Sequence, residues 1–76
     1  MAARRFHLTL PERMAKEPVI YTLGRRFDVV TNIRRANVED KVAWMILELA
    51  GPEQAMSDAI GWLAAQGVGV DRIEIE

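Results

Sequence analysis

The chain has 76 residues, of which 50% are hydrophobic and 28% charged, and its formal net charge is -1. That length suits one domain with a small core, and the apolar content is high enough to offset chain entropy. The near-neutral charge gives no overall pull toward nucleic acid or an anionic membrane, and the absence of cysteine excludes disulfides, thiolate-held iron–sulfur clusters and cysteine–zinc sites.

Residues 1–4 are expected to be a flexible lead-in to a domain spanning 1–76. No apolar run reaches signal-peptide or membrane-spanning length, so the chain is read as cytoplasmic. Phe6, Leu8 and Leu10 alternate with Arg5, His7 and Thr9. This period of two predicts a strand with one buried face. Pro11 lacks an amide donor and ends it.

Pro18 stands where a first helical turn tolerates proline. Val19, Ile20, Leu23 and Phe27 follow at helical spacing, and Arg25 and Arg26 sit where a helix C-terminus favours cations. A short amphipathic helix is predicted over residues 17–27. From Asp28 to Val38 the β-branched residues Val29, Val30, Thr31, Ile33 and Val38 predict a strand. The polar stretch Ala36 to Lys41 predicts a hairpin turn, and Val42 to Leu49 returns as a strand that Gly51 and Pro52 stop.

Met56, Ala59, Ile60 and Leu63 make one stripe within Glu53–Gln66, a second amphipathic helix closed by Gly67. Val68 and Val70, then Ile73 and Ile75, predict a last strand with a slip near Asp71 that suggests a bulge or a late strand start. The order β-α-β-β-α-β with right-handed crossovers predicts an α+β ferredoxin-like fold, a four-stranded antiparallel sheet with two helices on one face.

Such a sheet keeps one face uncovered. The natural core set is Phe6, Leu8, Leu10, Met45, Leu47, Leu49, Ile73 and Ile75. Arg5, His7, Thr9, Val42, Trp44, Ile46, Glu48, Arg72 and Glu74 then face away. If Val29, Thr31 and Ile33 point inward, Val30, Asn32 and Arg34 point outward. Val42, Trp44 and Ile46, together with Val30, would form an apolar interface patch. The second strand is expected at a sheet edge, where unpaired backbone groups invite another chain.

Catalytic and metal chemistry find no foothold. His7 is the only histidine and has no second ligand at metal spacing. Ser57 has no partner base, the acidic residues are scattered near turns and helix starts, and no glycine-rich phosphate loop occurs. We therefore expect no enzyme activity, no metal and no cofactor. Arginine pairs stand at 4–5, 25–26 and 34–35. RNA-binding modules of this fold also need two or three aromatics on the central strands, and here Trp44 is the one such residue, so no nucleic-acid partner is expected.

The segment Arg25-Arg26-Phe27-Asp28-Val29-Val30-Thr31-Asn32-Ile33 resembles the hallmark of the NIL domain, named for an Asn-Ile-Leu motif. The resemblance continues through Trp44-Met45-Ile46-Leu47-Glu48-Leu49-Ala50-Gly51, Ala59-Ile60-Gly61-Trp62-Leu63 and Gly67-Val68-Gly69-Val70. It implies a ferredoxin-like fold and, as in the regulatory C-terminal part of methionine importer ATPases, a homodimer that binds methionine near its pairing surface. The motif here reads Asn32-Ile33-Arg34, with arginine in place of leucine. On that resemblance Asn32, Ile33, Arg34, Phe27 and Val30 are the expected ligand-binding residues. Asn32 would meet the zwitterion, Arg34 a carboxylate, and Phe27, Val30 and Ile33 an apolar side chain. A domain of another class is the alternative: a module that docks on a larger protein partner through its sheet edge, without a small ligand.

Overall fold

The computed structural model describes residues 2–15, 17–38 and 42–73. Its elements are β1 (Ala2–Pro11), α1 (Glu12–Ala15), α2 (Val19–Arg26), β2 (Val30–Val38), β3 (Val42–Gly51), α3 (Glu53–Ala65) and β4 (Gly69–Ile73). The strands form one antiparallel sheet in the order β2-β3-β1-β4. This is the expected ferredoxin-like arrangement, with β1 and β3 central and β2 at an edge. Ala2, Ala3 and Arg4, expected as a flexible lead-in, are part of β1 and pair with Gly51, Ala50 and Leu49.

The central strands follow their alternation. Phe6, Leu8 and Leu10 of β1 and Ala43, Leu47 and Leu49 of β3 are buried against the helical layer, and Met45 is half-buried on the same side. In α2, Val19 and Leu23 lie one turn apart and are buried, and the Phe27 amide donates to the Leu23 carbonyl at the helix end. The helix is shorter than the predicted 17–27. A four-residue helix, α1, precedes it and inserts Met14 into the core.

In α3 the buried stripe is Met56, Ala59 and Leu63. The Val68 amide donates to the Leu63 carbonyl at 3.1 Å, and Gly67 takes φ +88° to allow it. That left-handed residue costs glycine little because it has no Cβ. Leu8, Leu23, Leu47, Leu49 and Leu63 are the largest fully buried side chains. No helix among the described residues is long and apolar enough to cross a membrane.

Three expectations are corrected. The slip predicted near Asp71 does not occur, because Leu8↔Val70, Phe6↔Arg72 and Arg5↔Ile73 run in continuous register. The unbroken pleat turns Arg72 toward the helical layer and Ile73, expected in the core, toward the open face. An edge strand tolerates this, since Arg72 stays exposed while only Val70 packs against the core. The irregularity is in β2 instead, between Ile33 and Arg35. Finally, Ala36–Val38 continue β2 rather than begin the turn. The remainder of the predicted turn, residues 39–41, lies outside the described residues, as do Glu74 and Ile75.

Candidate functional site

Residues paired across antiparallel strands share a face, so the register assembles the open side of the sheet row by row. Asn32 on β2 stands opposite Glu48 on β3, and Glu48 stands opposite Arg5 on β1. Arg5 Nε donates to Glu48 Oε2 at 3.1 Å, with side-chain exposures of 32% and 24%. This half-buried ion pair therefore shares a row of the open face with Asn32. One step along, Arg35, Ile46, His7 and Asp71 form the next row. Beyond it come Asn37, Trp44, Thr9 and Gly69, then Val42 opposite Pro11.

Across two of these rows the His7 and Trp44 rings stack, with centroids 5.5 Å apart and planes 17° from parallel. The stack covers part of Trp44, and Ile46 is likewise half-buried. Val42 and Val30 remain 48% and 65% exposed. Val42, Trp44 and Ile46 thus occupy alternate positions of one central strand and make a continuous apolar column. Polar and charged groups border that column: Arg5 and Glu48 at one end, Asn32 and Arg35 along the β2 side.

The five residues expected to bind ligand are divided between the two faces. Asn32 and Val30 have open-face parity. Ile33 pairs with buried Leu47 and so belongs to the helical side, although at the edge it stays 49% exposed. Phe27 is held in the helical layer, 6.1 Å from the Trp62 ring, whose face also carries the Arg26 guanidinium at 5.6 Å.

Arg34 falls at the β2 irregularity and has no partner in the register, so Arg35 takes the place opposite Ile46. The bulge thus exchanges one arginine for the next on the open face, as an extra residue in one strand must. Arg5 and Glu48 are not among the site residues expected from the sequence. Their opposite charges on two outward-facing alternations were the available signal, but the register that makes them neighbours was not.

A family model described as the NIL domain matches residues 4–72. The chain belongs to the NIL domain family. A curated relative, the methionine import ATP-binding protein MetN of Myxococcus xanthus (strain DK1622), is 31% identical over 74 residues, covering 92% of this chain. The chain spans about a fifth of that relative's length, 22%. Among solved structures, the C-terminal domain of an ABC transporter ATP-binding protein from Enterococcus faecalis superposes with a TM-score of 0.82 at 25% identity. That match covers 96% of this chain and 86% of the other. The NIL match contains the whole of β2 and β3, and hence Asn32, Glu48 and the apolar column between them and Val42.

Proposed function

We propose that this NIL domain is a regulatory ligand-sensing unit. It binds a small amino acid, methionine or a relative of it, at a surface formed by two copies of the chain. The observation that carries the reading is the placement of Asn32 beside the Arg5–Glu48 pair on an apolar open face. A free amino acid presents a carboxylate, an ammonium and, for methionine, a flexible apolar tail. The Asn32 amide supplies two donors and an acceptor, Glu48 accepts from an ammonium, and Arg5 or Arg35 donates to a carboxylate. The Ile46–Trp44 column receives the tail, and a thioether gains further from an aromatic neighbour.

Family membership supports the same reading, because the relative's name includes methionine import. The domain's part is then regulation rather than catalysis, on the cytoplasmic side of whatever machinery it serves. The homodimer interface is the patch of Val42, Trp44 and Ile46. A two-fold axis there sets one copy's apolar column against the other's and leaves each Asn32 row at the rim.

The test is a thermal-shift and calorimetric titration with L-methionine, since a ligand specific for the folded state raises stability by mass action. Methionine should raise the melting temperature of the wild type. Asn32→Ala should keep the wild-type melting temperature without ligand and lose the ligand-induced rise. Wild-type affinity in Asn32→Ala would remove the site assignment. No response to any free amino acid would remove the sensing function.

A second reading rests on a different observation. Edge strand β2 leaves Val30, Ile33 and Val38 exposed, the last at 73%. An edge of that kind suits strand addition by a larger protein partner, without a small ligand. A domain that ignores all amino acids yet co-purifies in a stoichiometric complex disrupted by Val30→Lys would favour this alternative.

A further inference from the structure

The continuous register of β4 turns Arg72 to the helical side of the sheet. Strand parity places Arg4 and Arg72 on that side, flanking Phe6 on neighbouring positions of β1 and β4. A cleft of about 220 Å³ opens there, with Phe6, Met56 and Ile60 as its apolar floor and Arg4, Glu53 and Arg72 among its polar walls. Phe6 and Met56 are 8% and 3% exposed, so the floor is fixed by the core.

The two arginines differ in state. Arg4 Nη2 donates to Glu53 Oε1 at 2.6 Å, so these charges neutralise each other. Arg72 has no carboxylate partner among the described residues. Among the described residues the cleft therefore carries one cation without a carboxylate partner, over an apolar floor. The first turn of α3 forms one wall, and its N-cap, Pro52, provides no side-chain hydrogen bond. The positive end of the α3 dipole thus adds to the field of Arg72.

We propose that this cleft is a second ligand site, for a small monocarboxylate with a branched or short apolar tail. Arg72 pairs with the carboxylate, and Phe6, Met56 and Ile60 receive the tail. The volume is below the roughly 300–1,000 Å³ of sites for drug-sized molecules, which suits a small acid of the size of 4-methylpentanoate. An ammonium is not required, because Glu53 is already engaged by Arg4. The site lies on the opposite side of the sheet from Asn32 and is independent of any ligand there.

The experiment is an amide-resolved NMR titration of the full chain with 4-methylpentanoate and, separately, with 4-methylpentan-1-ol. The carboxylate should give saturable shifts centred on Phe6, Met56 and Ile60. The alcohol should bind about tenfold more weakly, the value of one charge-assisted contact. Arg72→Gln, at an exposed edge position, should retain a folded spectrum and lose the preference for the carboxylate. Arg72→Lys should keep part of it, and Asn32→Ala all of it. Overturning results are equal binding of acid and alcohol, no saturable shift at the cleft, or unchanged carboxylate affinity in Arg72→Gln.

Discussion

Leu47→Ala tests the assignment of faces on which the candidate site depends. Leu47 is 0% exposed on central strand β3, between Phe6 on β1 and Ile33 on β2. Removing a fully buried leucine loses its transfer energy and leaves a cavity, about 2–5 kcal/mol in all. The backbone is held by ladders on both sides, so collapse is limited and about 3–4 kcal/mol is expected. A domain of this size has about 4–11 kcal/mol in total, and the loss corresponds to a fall of roughly 15–30 °C in Tm.

Ile33→Ala is the internal control. It occupies the same row but is 49% exposed at the edge, so about 1 kcal/mol is expected from its half-buried area. Urea unfolding followed by circular dichroism measures both, at one fixed protein concentration because the proposed association would contribute to stability. If Leu47→Ala costs under about 1 kcal/mol, or Ile33→Ala costs as much as Leu47→Ala, the order and parity of the strands are wrong. The open face, with Asn32 and Glu48 on it, would then have to be reassigned.

The other expectations concern the hairpin-to-helix corner and the dimer. A Cβ at Gly51 would stand 2.6 Å from the Asp28 carbonyl oxygen, a backbone atom that cannot swing away, so Gly51→Ala should cost about 1–3 kcal/mol by overpacking, read from the same urea curves; a neutral result would show that the β2 entry is free to move. Light scattering of the wild type should report twice the 8.6 kDa chain mass. Trp44→Ala should shift that mass toward one chain with its far-ultraviolet spectrum retained, and an unchanged dimer would exclude the β3 column as the interface.

How much was legible differs by element, for identifiable reasons. β1, β3 and α3 carry strong periodic signals, because their apolar residues sit at spacings that only one backbone geometry buries together. Phe6, Leu8, Leu10, Leu47, Leu49, Met56, Ala59 and Leu63 were all recognisable on that basis and are buried. α1 was not, since four residues are barely one turn and carry no period. β4 differs: Ile73 imitates a return to the core, but its pairing with Arg5 shows that strand pleat prevails over hydrophobicity at an edge.

The residues alone were sufficient for the class of fold, the family motif at Asn32 and the lack of cysteine chemistry, because composition, period and local order are properties of the chain itself. Pairing across strands is not such a property. It depends on where β2 bulges, and a shift of one residue turns every following side chain to the other face. That is why Arg35 stands opposite Ile46 while Arg34 falls at the bulge. The same pairing sets Asn32 beside an Arg5–Glu48 pair contributed from 27 and 16 residues away in the chain. It also brings Arg72 over the floor made by Phe6 and Met56. Each contact joins residues far apart in sequence, and only the packing of the whole sheet against its helices brings them together.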